Sequence, residues 1–498
     1  MILENGIVRT LDPSLPVARS LAIAGERIAG GVGTHETALA PPDVVDLGRR
    51  CVLPGFTDSH VHFPTWALTQ RQVKLDGCAS LAEAVERTRS SGRRRGYGWR
   101  DAEWPDGPPT RHALDAISDE PAAMWSKDYH SLWLNSPALA LAGGDLEVDG
   151  GVVVRDDRGE PTGVLYERAA WQFKERYARA PDEEYVEAMR EGVRVAAARG
   201  VTAVHDKDGW LGAIGLWQQL EQRGGLPLRV WQSTPADRLG DLRAVGLRSG
   251  AGSPLLRLGY LKAFMDGTLG SQTAWMSDGS GVVITTSEEL ETIVREGAAA
   301  GWPVGVHAIG DAANRAALDA LERSRGAWQP RGLRPRIEHA QCLAPEDVAR
   351  FAELGVAVSV QFSHAPSDEQ LAKRYWADRL DRAYSFRSLL DSGALLANGS
   401  DAPVEELEPW AGVVAAVLDH WREDQRLTLE QALHAVCVAP AWLSHDERTR
   451  GTLVPGRYAD LVVLDRDPFA CEPEELREVQ VVATMLAGRW THNPPPWD

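Results

Sequence analysis

The chain has 498 residues, 44% of them hydrophobic and 25% charged, a globular composition that excludes a disordered, collagen-like or coiled-coil chain. Its 53 Lys and Arg against 71 Asp and Glu leave a net charge of −18, which repels phosphate backbones and anionic membrane surfaces and favours a small-molecule partner over nucleic acid or membrane. Five cysteines with no CxxC pair, an N-terminus without a secretion-signal pattern and no run near roughly 18 apolar residues point to a reducing cytoplasm, with neither a disulfide framework nor a thiolate zinc site.

At roughly 150 residues per domain the length suggests about three units. Residues 1–54 are short β-rich runs broken by Asn5-Gly6, a strong hairpin signal, and Gly25-Glu26, a weaker one. From residue 55 onward, short apolar runs alternate with helical stretches, the mark of a parallel α/β fold. Eight strands are expected: Gly55 to His62, Val201 to Asp206, Leu228 to Thr234, Leu256 to Met265, Pro303 to Ala308, Pro335 to Ala340, Val356 to Phe362 and Ala394 to Asp401. Eight is the number that closes a (β/α)₈ barrel.

Val186, Met189, Val193 and Ala197 follow helical spacing over Asp182 to Gly200, and Thr428-Leu-Glu-Gln431 opens another helix with a capping box. The interval 63–180 is too long for one crossover and is read as an insertion at the C-terminal end of the first strand, where it covers the catalytic face. It has a helix begun by Ser80, and its Arg93-Arg94-Arg95 run is best explained as a solvated loop. Trp outnumbers Tyr and Phe together, 18 against 9 and 8. Trp66, Trp99, Trp104, Trp125, Trp133 and Trp171 fall in the insertion, where core packing is the default role and lining a pocket the sharper one. Residues 451–490 return to strands and turns.

The residues suited to chemistry cluster at the ends of the expected strands. His60-Val-His62 puts two imidazoles on one strand face, able to reach one cation. His307, His339 and Asp401 each end an apolar run, and Lys262 interrupts the fourth, where a buried charge is costly unless paired or removed.

Together with their surroundings these residues resemble the amidohydrolase superfamily, in the branch of N-substituted formamide deformylase and the YtcJ-like hydrolases. The motifs are Leu53-Pro-Gly-Phe-Thr-Asp-Ser-His-Val-His62, Lys262-Ala-Phe-Met-Asp-Gly-Thr-Leu-Gly-Ser271, His307-Ala-Ile-Gly-Asp311, Glu338-His339-Ala-Gln341, Gly399-Ser-Asp-Ala-Pro-Val404 and Pro455-Gly-Arg-Tyr-Ala-Asp-Leu-Val-Val-Leu464. The resemblance implies a barrel over 55–62 and 181–445, a β-sandwich built from 1–54 and 446–498, and the insertion 63–180 over the active-site mouth.

The resemblance further implies that His60, His62 and Asp401 bind one divalent metal and His307 and His339 a second. Lys262 would bridge them as a carbamate made with carbon dioxide. The imidazole-rich set favours zinc. The implied reaction is hydrolysis of a non-peptide C–N bond, an amide or N-acyl amine, by metal-bound hydroxide, with Asp401 as the proton carrier. His130, His205, Asp266 and His364 sit where a substrate or transition-state oxygen could be met, with a structural hydrogen bond or support of a metal ligand the equal alternative for each. His112, His420, His434 and His445 fall on helices or loops and are read as surface or packing residues.

A one-metal deaminase of the same superfamily is the first rival; Gly310 stands where such enzymes usually carry a Glu. An inactive, interaction-only relative is the second. The expected partner is a small amide-type molecule, and a homodimer is allowed.

Overall fold

A computed structural model describes residues 1–29, 43–208 and 212–497, so residues 30–42 of the N-terminal segment lie outside the described residues. All eight barrel strands form: β1 (Phe56–Val61), β2 (Val201–Asp206), β3 (Arg229–Pro235), β4 (Leu256–Phe264), β5 (Val304–Ala308), β6 (Arg336–His339), β7 (Ala357–Val360) and β8 (Leu396–Asn398). They pair in chain order as one parallel sheet. β8 is shorter than the expected Ala394 to Asp401, because the chain turns out of the sheet and reaches Asp401 at a φ of +57°.

β8 and β1 meet just beyond their ends. Val61 bridges Ala402 in parallel sense, Asp401 N donates to His60 O at 2.6 Å, and His62 N donates to Ala402 O at 2.8 Å. A TIM-type barrel therefore closes at the residues that also carry the candidate ligands. Its strands are almost wholly buried, as expected of a parallel sheet covered on its outer face by helices. The helix Asp182–Ala198 buries Val186, Met189, Val193 and Ala197, and the helix Leu429–Leu443 opens with the reciprocal Thr428–Gln431 capping box.

Between β1 and β2 a six-stranded sheet runs in the order Gly151–Arg155, Pro161–Glu167, Ser131–Leu134, Ala123–Ser126, Arg95–Trp99 and Val73–Lys74. Two apolar clusters pack on it, one around Leu132, Leu134 and Leu165 and one around Met124, Trp133 and Val164. In the Arg93–Arg95 run, Arg93 donates to Gln72 O, Arg94 pairs with Glu120 and Arg95, the first residue of the strand Arg95–Trp99, pairs with Glu184, so Arg93 and Arg94 form the expected solvated loop and Arg95 does not.

The two chain ends share one six-stranded sheet, in which Cys51–Pro54 pairs antiparallel with Leu461–Leu464. A four-stranded sheet of N-terminal strands shares an apolar core with it, including Leu3, Ile23, Val52, Leu461 and Met485. The two hairpin expectations reverse. Gly25-Glu26, the weaker signal, does turn the hairpin between Leu21–Ala24 and Arg27–Ile28. Asn5-Gly6 does not: Ile2–Glu4 joins the four-stranded sheet and Ile7–Arg9 the six-stranded one. Each finds a parallel partner, Val44–Asp46 and Cys51–Val52, so Asn5, at a φ of +59°, carries the chain between sheets.

All five cysteines are free thiols. Among the described residues no helix is long and apolar enough to cross a membrane.

Candidate metal centre and active site

The barrel brings the strand-end residues together. His60 Nε2 lies 3.2 Å and His62 Nε2 3.5 Å from Asp401 Oδ1, and His339 Nδ1 lies 3.9 Å from Asp401 Oδ2. The His339 ring stands 4.6 Å from that of His60 and 4.5 Å from that of His307, centre to centre. His60, His62 and Asp401 form a group that could hold a cation, and His339, His364 and Asp401 form a second. His339 and Asp401 both sit at positive φ, +74° and +57°, a strain of roughly 1–3 kcal/mol each that persists where the surroundings over-determine the geometry. Gly399 makes the approach possible, since a Cβ there would come within 2.3 Å of His60 N.

One ring nitrogen of each strand-end histidine is already engaged. His60 Nδ1 donates to Glu338 Oε2 at 2.9 Å and His62 Nδ1 to Asp208 Oδ1 at 2.9 Å. His307 Nε2 donates to Gly267 O at 3.1 Å, and His339 Nδ1 to Gln361 Oε1 at 2.7 Å. Because a carboxylate or carbonyl can only accept, each bond puts a proton on the engaged nitrogen, so that in the neutral ring the other nitrogen carries a lone pair, as in a metal-ligating imidazole. Burial pushes His60 down to about 4, aided by Lys207, and drives His307 and His339 well below the usual range. At His62 burial acts the same way, but Asp208 and Asp401 outweigh it and raise the ring to about 9. Asp401 is held ionised despite burial, chiefly by His60.

His364 belongs to the second cation group but behaves differently. Gln341 Nε2 donates to its Nδ1 at 3.1 Å, so the proton of the neutral ring sits on Nε2, which has no partner among the described residues. It presents a donor, not a lone pair.

Lys262 is buried, and burial lowers it to about 8. Among the described residues no carboxylate lies within ion-pairing distance of its Nζ, which stands 4.9 Å from the Phe264 ring centre.

Beneath the candidate ligands lies a buried ionic layer. Glu338 accepts from Lys207 Nζ at 2.6 Å and pairs with Arg336 Nε at 2.8 Å as well as with His60, and these cations hold it well below the usual carboxylate range despite burial. Tyr260 accepts from Lys207 and lies under the Arg336 guanidinium. Asp58 accepts from both His60 N and Ser400 N at 3.0 Å, tying β1 to the chain leading into Asp401.

Two cavities meet at the centre. The larger, of about 580 Å³, reaches His60, His62 and Lys262 and is walled by Trp125, Tyr129, Trp171 and Phe264. The smaller, of about 340 Å³, is bordered by Trp99, Trp104, Arg100, Gln341 and His364. His130, His307, His339 and Asp401 border both. Of the six insertion Trp residues, four line these cavities, while Trp66 and Trp133 are core.

The four residues weighed for contact with a substrate divide evenly. His130 lies in the cavity wall, its ring 5.3 Å from that of His307; its Nδ1 donates to Glu167 Oε2 at 2.6 Å, and that carboxylate raises the ring against the effect of burial. His364 lines the smaller cavity. His205 does not reach either cavity: Arg336 Nη1 donates to its Nδ1 at 2.9 Å in the layer below, so it is part of the barrel floor. Asp266 also lies behind the site, where it accepts from Trp275 N, Ile309 N and Gly310 N and fixes the backbone beyond His307. Of the others, His420 is fully buried.

Several contributors escaped sequence reasoning. Glu338 and the run Asp206-Lys207-Asp208 were open to the argument applied to Lys262, a charge on or ending an otherwise apolar strand. Glu167 and Gln361 carried no such signal, because their importance depends on contacts with residues far away in sequence.

A model of the Amidohydrolase family matches residues 43–492. The chain is 31% identical to the Arabidopsis thaliana protein LONG AFTER FAR-RED 3, covering 98% of this chain and 91% of that one. It is 29% identical to the putative amidohydrolase YtcJ of Bacillus subtilis (93% and 92% covered) and 27% identical to the N-substituted formamide deformylase of Arthrobacter pascens (98% and 97%). A crystal structure of an uncharacterized metal-dependent hydrolase from Pyrococcus horikoshii superposes with a TM-score of 0.78 at 28% identity, covering 95% of this chain and 99% of that one. The chain belongs to the amidohydrolase family.

Proposed function

We propose that this chain hydrolyses a non-peptide C–N bond, that of an amide or N-acyl amine, with two divalent ions, zinc being the metal that the donor set favours. The observation that carries this reading is the cluster in which His60, His62 and His339 approach Asp401 and His307 packs against His339, each ring donating from one nitrogen to a fixed acceptor. His60, His62 and Asp401 would hold one ion, and His307 and His339 the other. Lys262 would join them once its neutral amine has added carbon dioxide, forming an N–C bond and releasing a proton; burial and the lack of an ion-pair partner among the described residues support this. Bound ions of this kind supply Lewis acidity that polarises a carbonyl and eases the ionisation of water.

The protein's own groups do the rest. Asp401 borders both cavities, where it can take a proton from the attacking water and return it to the leaving nitrogen, so that water and amide become acid and amine. The Glu167-held His130, which borders both cavities, stands where it can donate to the substrate carbonyl as charge develops on its oxygen. The deaminase alternative loses support at Gly310, where a Cβ would lie 2.0 Å from Trp275 O, so no acid side chain fits there.

The test is a screen of N-formyl, N-acetyl and larger N-acyl amines with zinc-loaded enzyme. Activity should vanish on chelation and return with metal, and Asp401→Asn should lower kcat by about 10²–10⁴. Deamination of an aminated ring with no amide turnover would contradict the reading.

A further inference from the structure

The two cavities differ in chemistry, and they meet at His307, His339 and Asp401 of the candidate metal centre, with Asp128, His130 and Val404 also bordering both. The larger presents four aromatic rings: Trp125 and Tyr129 stacked at 5.4 Å and 11°, and Trp171 against Phe264 at 5.1 Å. Ile284 and Ile293 extend the apolar wall. At about 580 Å³ the space exceeds what a methyl or formyl group would fill.

The smaller cavity is polar. It contains a buried donor without a partner among the described residues, the His364 Nε2–H, only 4% of that residue being exposed. Leaving such a donor unsatisfied costs about 1–3 kcal/mol, which an accepting group on a ligand would remove. Arg100 also borders this space but is engaged by Asp368 at 2.8 Å. Among the described residues the His364 Nε2–H is thus a buried donor left open to a ligand.

We infer that the substrate is a two-armed amide: an aryl or arylalkyl group on one side of the scissile C–N bond fills the aromatic cavity, and a short hydrogen-bond-accepting arm on the other side reaches His364 in the polar cavity. This rests on the amide-hydrolase reading and narrows it. A simple N-aryl-alkyl formamide would leave the polar cavity empty, and a short polar amide would leave the aromatic one empty. The bond to be cut would lie at His307, His339 and Asp401, which border both spaces.

The experiment uses zinc-loaded full-length enzyme and matched compounds. N-benzylsuccinamate, its neutral carboxamide N-benzylsuccinamide and phenylacetylglycine carry both arms, the last in the reverse orientation. N-benzylformamide lacks the polar arm, and N-methylsuccinamate lacks the aromatic one. At least one two-armed compound should exceed both truncated ones about tenfold or more in kcat/KM. The charged and neutral succinyl compounds distinguish a carboxylate from any other acceptor.

Trp171→Ala should lower kcat/KM for compounds with the aryl arm and leave the aryl-free one within about twofold. His364→Ala should do the converse for the polar arm. Equal rates on two-armed and truncated compounds, or the same loss on every compound in both variants, would overturn the inference. If no amide is cleaved, the hydrolase reading fails, and calorimetry on the same intact compounds decides the two-armed one. Binding at least tenfold tighter with both arms upholds it, and equal affinities refute it.

Discussion

Two buried regions of this molecule use the same side chain in opposite ways. At the barrel's open end, His60, His62, His307 and His339 each donate from one ring nitrogen to a carboxylate or carbonyl, which leaves the other nitrogen of the neutral ring as a lone pair. In the loop after β8, His420 spends both: Nε2 donates to Tyr384 O at 2.9 Å, and Nδ1 accepts from Arg422 N at 3.0 Å. Both environments are desolvated, and His60 and His420 are each lowered to about 4, mainly by burial. The electrostatic shift therefore does not separate a ligand from a structural residue. The fate of the second nitrogen does. His364 and His205 mark the intermediate cases, each accepting at Nδ1 and carrying an Nε2–H unpartnered among the described residues, the first beside a cavity and the second in the floor.

The largest expected effect comes from removing what fixes a ligand's outer nitrogen. Glu338→Gln deprives Lys207 and Arg336 of their buried counter-charge, and breaking such a pair costs about 3–5 kcal/mol. It also replaces the carboxylate that His60 Nδ1 addresses, so metal affinity should fall about 10–100-fold. Chemical denaturation and metal titration read the two effects separately. A variant that kept both near the parent values would break the distinction drawn between the two kinds of histidine.

A smaller effect sharpens it from the other side. The folded-state pKa of His420 lies below the ordinary 6.5, so the unfolded chain binds the extra proton first. Stability from the neutral ring is present above pH 6.5 and is lost as pH falls toward about 4, by about 3 kcal/mol at most. Metal-free protein should show this in thermal melts, and His420→Asn should flatten the acid slope relative to the parent. Identical slopes would mean that His420 titrates as an ordinary exposed histidine.

The barrel was legible because its signals are local. Eight apolar runs and their intervening helices announce themselves within about ten residues each, and the candidate ligands lie at the ends of those runs or just beyond them. Lys262 stood out for the same reason, as a charge in an apolar strand. The residues that orient the ligands were harder to read. Gln361 matters because β7 lies beside β6, and Glu167 because the insertion folds back over the loop after β4. Neither adjacency is written near those residues. The Asn5-Gly6 turn failed for a related reason: the dipeptide can turn a hairpin, but better partners elsewhere draw its flanking strands into different sheets. His205 and Asp266 share the strand-end position of the true cavity residues, yet Arg336 and three backbone amides claim them first.

The central claim is that Lys262 joins two metal ions rather than serving as a lone buried amine. Elemental analysis of the purified protein and of Lys262→Ala, reconstituted with zinc in bicarbonate buffer, tests it most directly. The parent should hold about two ions per chain and the variant about one, with short carboxylic acids restoring part of the loss. A parent that saturates firmly at one ion, or a variant that keeps two, would contradict the account.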